Sequence, residues 1–445
     1  MCSFFFSNKN LKSIKNLLSE DYYNKLRGPN ITNILEHKEI ILLHNLLSMS
    51  EDFSPQPKLK NNCILLFNGE IYNNDIKKYK SDTDYLIDLL INEGALGLKK
   101  IRGEFALIFI NIEKSTILVA RDTFGTKPLS YVHDGEKLLF STLPPLLFKF
   151  GYSKEVKEFP VNKFIEYDLD NASILREETL HQFNLNQEID SFDEFENILR
   201  ESIELRCREP RENSIFSGLS SGYDSGTIHL MITQLNKSCK FYTVGNKENN
   251  KIINERVKLS PKVEHKKINI GLFSKMKINS LSKKKLFKFN SLIKSDQGDY
   301  NEFDLDMRND NGTRKFLILC NCAKKDKKNI FLSGVGPDEI FSDYGHKGKR
   351  YYPHSNFGGL FPSDLNKIFP WGSFFDSSMR TYINKEEYVG GSFGMEIRYP
   401  FLDIKLIQSF LSLKAELKNS NYKAPLHHIL EKYSYPFEKN IKRGF

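Results

Sequence analysis

Cys2 is the first residue whose type and position could perform chemistry, because it directly follows Met1. Cysteine is small, so removal of Met1 would leave a thiol and a free α-amine on one residue. An α-amine has a pKa of about 7.7–8.0 and can act as the general base for its own side chain. Position alone does not separate such a nucleophile from a chance cysteine, so other residues must decide.

A second group of candidates lies in residues 67–73 (FNGEIYN), which follow a short apolar run. The side chain of Asn68 and the backbone N–H of Gly69 supply the two donors that an oxyanion hole requires. Within residues 81–84 (SDTD), Asp82 supplies a carboxylate that could bind the ammonium group of an amino acid. Two further short signatures are residues 27–30 (RGPN) and 120–129 (ARDTFGTKPL).

From residue 2 to residue 129, these segments resemble the class II glutamine amidotransferase domain in order and spacing. That family begins with Met-Cys-Gly and carries RGP, NGEIYN, SD-T and RD-G-KPL elements. The resemblance implies an α+β fold of the N-terminal nucleophile type with αββα layers, and hydrolysis of glutamine. It implies that Cys2 attacks the side-chain amide and that Asn68 and Gly69 hold the oxyanion. It assigns the glutamine head group to Glu70 and Asp82.

Two positions depart from the pattern of this domain. Ser3 stands where the family usually has glycine. Leu46, in residues 44–48 (HNLLS), stands where the family has an arginine that pairs with the α-carboxylate of glutamine. Charge-assisted pairs of this kind are strong, so their loss weakens capture of the substrate. Either another cation compensates, or glutamine binds poorly, or the donor of ammonia differs.

A third motif, residues 220–225 (SSGYDS), follows a short apolar strand and opens a helix, which we predict from about Gly226. Small residues let the backbone approach phosphate, and N–H groups at a helix start hold anions. Asp224 could hold Mg²⁺ on a pyrophosphate. No G-K-[ST] follows, so the loop is not a Walker loop. It resembles the SGGxDS loop of ATP pyrophosphatases, which implies AMP transfer with release of pyrophosphate; Ser221 replaces the first glycine.

Four later segments resemble asparagine synthetases, and extend the resemblance over nearly the whole chain: residues 332–341 (LSGVGPDEIF), 396–403 (EIRYPFLD), 423–427 (KAPLH) and 442–445 (KRGF). The resemblance implies phosphate contacts from Ser220, Gly222 and Ser225, and AMP contacts from Val244, Ser333 and Gly334. By the same resemblance, Asp224 and Asp338 bind Mg²⁺–pyrophosphate. Lys423 stabilises the charge on the acyl-adenylate or on the departing pyrophosphate. Val335 departs from the family, whose asparagine-forming members carry an acid at this position.

The elements that must position these residues change in character along the chain. Short apolar runs separated by turns predict a β-rich first half, and strands alternate with helices after about residue 185, which is typical of a parallel sheet. We therefore predict a glutaminase domain over residues 1–185 and an α/β ATP-pyrophosphatase domain over residues 190–445. The boundary between them falls within residues 180–195.

Composition narrows the function classes further. The net charge is +9, but aromatic residues do not interleave with the lysine runs, which favours solvated loops over a nucleic-acid surface. No run of about 18 apolar residues exists, and the start is not a signal peptide, so the sequence predicts a cytoplasmic protein without membrane segments. The 6 scattered cysteines indicate reduced thiols. A homodimer is compatible with the sequence.

Together these features predict two half-reactions that use ATP and Mg²⁺. Cys2 would form a glutamyl thioester and release ammonia, which would displace AMP from an acyl-adenylate of a small carboxylate, by family default aspartate. Shielding from water keeps ammonia unprotonated. Two alternatives stay open: a ligase that forms an amide or lactam with an amine of its own substrate, favoured by Val335, and a non-catalytic nucleotide-binding homologue, favoured by Leu46, Ser221 and Val335.

Overall fold

The structure, a computed structural model, describes residues 2–10, 19–49, 54–152, 155–208, 214–245, 248–287, 289–294, 300–305 and 310–442. The chain divides into two compact units. The first comprises Met1–Gln182 and Gly390–Met395, and the second comprises Phe183–Val389 and Glu396–Phe445. Across the described ranges, every helix is too short or too polar to span a membrane.

The first unit contains two antiparallel sheets of six strands each, with the orders β10-β8-β9-β1-β3-β2 and β12-β11-β7-β6-β5-β4. The strands are β1 (Ser3–Ser7), β2 (Ile31–His37), β3 (Ile40–Leu46), β4 (Lys58–Lys60), β5 (Cys63–Ile71), β6 (Gly103–Asn111), β7 (Thr116–Arg121), β8 (Ser130–Asp134), β9 (Lys137–Ser141), β10 (Lys157–Glu158), β11 (Lys163–Asp168) and β12 (Ile174–Thr179). Its helices are α1 (Tyr22–Arg27), α2 (Asp82–Glu93) and α3 (Pro144–Lys149).

The two sheets lie face to face. Alternate residues of each strand point to opposite sides of its sheet, so each sheet has one face toward the other sheet and one face away from it. Phe4 and Phe6 of β1 share one buried cluster with Ile64 and Leu66 of β5, so this cluster fills the space between the sheets. The opposite face of the second sheet packs on α2, and that of the first sheet packs on α3. The order of layers is therefore helix, sheet, sheet, helix, in agreement with the predicted αββα arrangement.

The second unit contains a parallel sheet of five strands in the order β15-β14-β13-β18-β21. These strands are β13 (Ile215–Gly218), β14 (Lys240–Val244), β15 (Glu264–Ile268), β18 (Ile330–Leu332) and β21 (Glu396–Arg398). Two antiparallel hairpins pair β16 (Phe289–Lys294) with β17 (Tyr300–Leu305) and β19 (Gly345–His346) with β20 (Lys349–Arg350). The alternation of strands and helices correctly predicted a parallel sheet.

The helices of the second unit precede, connect and follow the strands of this sheet. They are α4 (Asp193–Arg206), α5 (Tyr223–Gln234), α6 (Asn250–Leu259), α7 (Leu272–Lys285), α8 (Asn311–Lys325), α9 (Pro337–Ile340), α10 (Gly372–Phe375), α11 (Ser378–Gly391, whose last two residues fall in the first unit), α12 (Ile404–Ser412), α13 (Ala415–Ser420) and α14 (Ala424–Lys432). The sequence predicted that α5 begins near Gly226, but it begins at Tyr223, because Gly222 is extended and serves as the N-cap.

Parallel strands bring their carboxyl ends to one edge of a sheet, where open α/β sheets bind ligands. The loops after β13 and β18, which carry the predicted nucleotide motifs, both leave the sheet at this edge, because the two strands are parallel neighbours. Residues 220–225 and 333–338 therefore come together although more than a hundred residues separate them in sequence.

Candidate active site

Cys2 lies immediately before β1 and is partly exposed. Its carbonyl oxygen accepts a hydrogen bond of 3.0 Å from Nε of Arg27, which is fully buried at the end of α1. The RGPN signature thus holds the backbone of the predicted nucleophile.

Asn68 lies on the face of β5 that also carries Ile64 and Leu66, and therefore points between the sheets. Its side chain is fully buried. Within the described part of the chain, neither Nδ2 nor Oδ1 of this side chain has a hydrogen-bond partner. A buried amide without partners costs about 1–3 kcal/mol, so a ligand that satisfies it gains this energy. This is the property expected of an oxyanion donor.

Gly69 follows Asn68 where β5 and β6 approach closely. A Cβ atom at this position would lie 2.0 Å from the carbonyl oxygen of Glu104, so no other residue fits. The glycine of the NGE motif is thus required by the packing of the strand pair that presents Asn68.

Glu70 and Asp82, the predicted head-group residues, are brought together at the end of β5. Oδ2 of Asp82 accepts a hydrogen bond of 2.7 Å from the backbone N–H of Ile71, the residue after Glu70. Both side chains are half-buried. The carboxylate of Asp82 is thus held beside the backbone that carries Glu70.

Leu46 lies at the end of β3, is 6% exposed, and supplies no charge where the family has arginine. A buried cation lies instead at the second sheet: Nζ of Lys127 is 3.3 Å from Oε2 of Glu104. Glu104 is directly opposite Glu70 in the β5–β6 register. Sequence reasoning did not assign a role to Lys127, because its contact with Glu104 depends on the fold.

The RD-G-KPL signature shapes the loop that delivers Lys127. Asp122 accepts hydrogen bonds from the backbone N–H groups of Phe105, Phe124 and Thr126. Arg121 donates to the carbonyl oxygens of Gly125 and Lys127, at 2.8 and 2.7 Å. Both side chains are buried, so this signature is structural.

His44 is a further buried group that sequence reasoning did not assign. It is opposite Phe4 in the β1–β3 register and lies on the inner face of the first sheet, in line with Leu42. Burial lowers the pKa of His44 to about 3, so the ring is neutral. A neutral ring adds no charge beside Cys2.

In the second unit, Ser220 and Ser225 close the loop after β13 on itself. Their hydroxyl oxygens lie 2.7 Å apart, and Oγ of Ser225 also accepts from the backbone N–H of Ser220 at 3.0 Å. Oγ of Ser220 accepts from the N–H of Gly222 at 3.1 Å. The loop therefore presents two hydroxyl groups at the start of α5.

Two residues that sequence reasoning missed support this loop from outside. Arg256 is fully buried, and its Nη1 donates to the carbonyl oxygens of Ser220 and Gly222 at 2.6 and 3.0 Å. Oε2 of Glu248 accepts from the N–H and the hydroxyl of Ser221 at 2.7 and 2.8 Å. The serine that replaces the first glycine of the motif is thus bound to a carboxylate.

Lys423 bridges the two carboxylates that were predicted to hold Mg²⁺. Its Nζ lies 2.7 Å from Oδ1 of Asp224 and 2.8 Å from Oδ1 of Asp338. The hydroxyl of Tyr422 donates to Asp338 at 2.7 Å, and Nζ of Lys442 also contacts this carboxylate. Burial would raise the pKa of Asp338, but Lys423 and Lys442 outweigh it and hold the pKa below its ordinary value. The carboxylate is therefore ionised.

A cavity of about 390 Å³ opens at this edge of the sheet. Five of the predicted residues line it: Ser220, Asp224, Ser225, Gly334 and Asp338. Its farther wall includes Val335, Tyr382, and the ion pair between Lys385 and Asp310, whose Nζ and Oδ2 lie 3.2 Å apart. The residues of the two nucleotide motifs thus line one cavity together with Val335, Tyr382, Lys385 and Asp310.

The remaining predicted residues of this unit shape the loops. Oγ of Ser333 is buried and accepts from the backbone N–H of Val335 at 3.0 Å. Val244 is buried at the end of β14, and Gly222 is the N-cap of α5. Residues 443–445, the last part of the KRGF segment, lie outside the described residues.

Asp224 and Asp338 have the chemistry that a site for Mg²⁺ would need. Mg²⁺ is usually bound by one or two carboxylates together with substrate phosphates, and Asp224 and Asp338 supply two that converge on one point. Among the described residues, no group of three or more His, Cys, Asp or Glu side chains is placed to bind a metal by itself. The ion would therefore depend on the nucleotide.

Comparison with known proteins supports the family resemblance. Residues 1–186 match the family model of the glutamine amidotransferase domain. The chain is 24% identical over 409 residues to a protein of Methanocaldococcus jannaschii assigned as a glutamine-hydrolysing asparagine synthetase, covering 85% of this chain and 70% of that protein. It is 25% identical over 443 residues to an asparagine synthetase domain-containing protein of Saccharomyces cerevisiae, covering 87% and 79%. The resemblance predicted from the motifs is thereby confirmed.

Similarity to solved structures is weaker. A glutamine phosphoribosylpyrophosphate amidotransferase from B. subtilis, complexed with ADP and GMP, is 13% identical and has a TM-score of 0.34. The match covers 60% of this chain and 65% of that one. A likeness of this size supports no argument about the fold.

Proposed function

Starting from a glutamine amidotransferase domain in a chain similar to asparagine synthetases, we propose that this protein is a glutamine-dependent ligase that uses ATP to amidate a carboxylate through an acyl-adenylate. The observation that carries the proposal is the bridge of Lys423 between Asp224 and Asp338 at a cavity also lined by Ser220 and Ser225. A buried lysine and two carboxylates are what a nucleotide with bound Mg²⁺ requires.

In the glutaminase half-reaction, the Cys2 thiol attacks the amide carbon of glutamine after removal of Met1, and its α-amine takes the proton. Asn68 and the N–H of Gly69 stabilise the oxyanion of the tetrahedral intermediate. Glu70 and Asp82 hold the ammonium group. Ammonia leaves, and water then hydrolyses the thioester to glutamate. This part of the fold is thus proposed to be an N-terminal nucleophile hydrolase, supported by the unsatisfied amide of Asn68.

In the synthetase half-reaction, the loop from Ser220 to Ser225 binds the phosphates of ATP, and Val244, Ser333 and Gly334 contact the nucleotide. Asp224 and Asp338 would hold Mg²⁺, which supplies charge neutralisation on the pyrophosphate when it is bound. Lys423 stabilises negative charge on the acyl-adenylate or on the departing pyrophosphate. Adenylation turns the carboxylate oxygen into a good leaving group, and ammonia displaces AMP.

ATP–pyrophosphate exchange over a panel of carboxylates, with aspartate first, tests this proposal. We expect one or more acids to give exchange that requires Mg²⁺, and glutamine then to yield an amide with AMP and pyrophosphate in equal amounts. Formation of ADP and phosphate instead would contradict an acyl-adenylate. No exchange with any acid, despite binding of ATP, would favour a non-catalytic nucleotide-binding protein.

Val335 favours a second candidate function, in which an amine of the substrate itself replaces ammonia and an amide or lactam forms. Valine lines the cavity but can neither accept a proton nor pair with an ammonium. The two candidates differ in one measurement. A ligase of this second kind would turn over ATP and substrate without glutamine or ammonia, whereas the favoured reaction needs one of them.

Replacing Leu46 by arginine is expected to lower KM for glutamine, because it supplies the cation for the α-carboxylate. A hydrogen-bonded charge pair contributes about 1.5–3 kcal/mol, which corresponds to a decrease of roughly tenfold or more. Steady-state glutaminase kinetics measure the effect, with Leu46→Met as the control for a change in packing. An unchanged KM in a folded Leu46→Arg variant would show that Lys127 or another cation already fills the role.

Replacing Glu248 by glutamine is expected to tighten binding of ATP. The substitution removes a negative charge that lies at the phosphate loop, yet keeps an oxygen that can accept from Ser221. For a partly screened charge we expect KM for ATP to fall by about two- to fivefold. Asp326, which pairs with Lys240 and Lys266 on the same sheet, offers the control substitution Asp326→Asn. A rise in KM for ATP would contradict this role.

A further inference from the structure

Ser3, the departure from the family's glycine, is held by two side-chain hydrogen bonds. Its Oγ donates to the carbonyl oxygen of Asn24 at 2.8 Å and accepts from Nδ2 of Asn45 at 3.2 Å. Ser3 is fully buried, opens β1, and is directly opposite Asn45 in the β1–β3 register. A glycine could form neither bond. The residue after the proposed nucleophile is therefore fixed on both sides.

The two asparagines converge on one buried carboxylate. Nδ2 of Asn45 donates to Oδ2 of Asp21 at 2.6 Å, and Nδ2 of Asn24 donates to Oδ1 of Asp21 at 2.7 Å. The hydroxyl of Thr32 donates to Oδ1 of Asn45 at 2.7 Å, which fixes the orientation of that amide. A continuous chain of hydrogen bonds thus runs from Asp21 through Asn45 to Ser3.

Asp21 is the N-cap residue of α1 and is 3% exposed. Burial raises the pKa of Asp21 to about 6, although the amides of Asn45 and Asn24 and the charge of Lys25 oppose the increase. Burial of a carboxylate is costly unless its hydrogen bonds are satisfied. Here the compensation comes from the two amides, one of which also contacts Ser3, so the position of Ser3 is coupled to this charge.

The hydrogen-bonded chain Asp21–Asn45–Ser3 and the side chain of Arg27 both hold the backbone at Cys2. Arg27 fixes the carbonyl oxygen of Cys2, and Ser3 fixes the residue bonded to that carbonyl. The peptide between Cys2 and Ser3 is thereby held at both ends, which fixes the backbone from which the thiol projects. A nucleophile displaced by about 1 Å loses much of its rate, so such anchoring matters for attack.

We propose that the hydrogen-bonded chain Asp21–Asn45–Ser3 positions Cys2 for attack on glutamine. The three residues are positioning residues, since they act through the backbone of Cys2 and do not contact the substrate. The proposal rests on the glutaminase role proposed above. It adds that the serine after the nucleophile is a functional replacement for glycine, connected to a buried charge.

The test compares Ser3→Ala, Asp21→Asn and their combination in the full-length protein. We expect kcat for glutamine hydrolysis to fall about tenfold in each single variant while KM changes by less than about twofold, because attack and not binding is disturbed. The double variant should lose no more than the larger single loss, since both substitutions break the same chain. Losses that multiply in the double variant, or single variants with unchanged kcat, would overturn the proposal.

Ser7→Ala is the matched control. Ser7 lies at the other end of β1, is equally buried, and donates one hydrogen bond of 2.7 Å to the carbonyl oxygen of Lys9. Melting temperatures should fall by similar amounts in Ser3→Ala and Ser7→Ala, but kcat should fall only in the former. Equal losses of kcat in both would show that the role of Ser3 is merely structural.

Alkylation of Cys2 by iodoacetamide, followed on the N-terminal peptide by mass spectrometry, separates this proposal from the proposed function. If the wild-type protein does not hydrolyse glutamine, the glutaminase proposal fails. Alkylation still shows whether the hydrogen-bonded chain Asp21–Asn45–Ser3 positions Cys2. We expect the rate at Cys2 to change at least about threefold in Ser3→Ala and Asp21→Asn, because loosening the backbone changes the orientation and the exposure of the thiol. Rates equal to that of Ser7→Ala would overturn the positioning role.

Discussion

Replacing Cys2 by alanine is expected to abolish glutamine hydrolysis while ammonia-dependent amidation continues. Loss of a nucleophile costs about 10³-fold or more in kcat, because no other group forms the thioester. The effect must be confined to the first unit, since the nucleotide residues belong to the second. Release of glutamate from glutamine and formation of AMP with ammonium chloride, measured on the same preparation, check both parts.

Cys63→Ala provides the control for this substitution. Cys63 opens β5 in the same unit, but its side chain belongs to the cluster between the second sheet and α2, on the face opposite to Asn68. Burial raises the pKa of the Cys63 thiol, which makes it a poor nucleophile. We expect Cys63→Ala to keep glutaminase activity. Glutamate release that persists in Cys2→Ala would contradict the proposed nucleophile.

Replacing Lys423 by methionine is expected to have the second largest effect, a fall of about 10²- to 10³-fold in ATP–pyrophosphate exchange. Lys423 is 2% exposed and carries the positive charge between Asp224 and Asp338. Burial alone would lower the pKa of Lys423, but the two carboxylates raise it above its ordinary value, so the side chain is charged. Its removal leaves two partly buried carboxylates without their shared cation, and charge on the adenylate unstabilised.

Lys418→Met is the matched control, because Lys418 is equally buried but bonds only to structural groups. Its Nζ donates to the carbonyl oxygen of Leu411 and to Oε1 of Gln187, at 2.8 and 2.7 Å. Burial lowers the pKa of Lys418 to about 7, so methionine replaces a side chain that is only partly charged at neutral pH. We expect exchange activity to survive in Lys418→Met. An equal loss of ATP–pyrophosphate exchange in both variants would show that the role of Lys423 is structural.

The proximity of residues within short, local motifs could be predicted from the sequence. Asn68 and Gly69 are adjacent, and Ser220, Asp224 and Ser225 belong to one strand–loop–helix unit, so their proximity needs no tertiary contact. The β-rich first half and the parallel sheet of the second half were also predictable, because short apolar runs separated by turns differ from strands that alternate with helices. The αββα order of layers was implied by the family resemblance. The start of α5 was placed too late, since a glycine N-cap carries no side-chain signal.

Partners distant in sequence could not be predicted. Arg256 meets the nucleotide loop from a separate helix, and Lys127 meets Glu104 through strand pairing. Asp21 and Asn45 contact each other through the packing of α1 on β3. In each case an ordinary polar residue acquires its role through burial and a partner that only the fold brings near. The departures Ser3 and Ser221 were visible in sequence, but their partners were not.

The central claim is that the thiol of Cys2 attacks glutamine. Covalent labelling with a glutamine analogue that bears a diazoketone tests this claim most directly. Intact mass and peptide mass spectrometry of the treated protein locate the label and report the state of the N-terminus. We predict that Met1 is absent, that one equivalent of label is on Cys2, and that excess glutamine prevents labelling. A retained methionine, with the label absent or on another cysteine, would contradict the account.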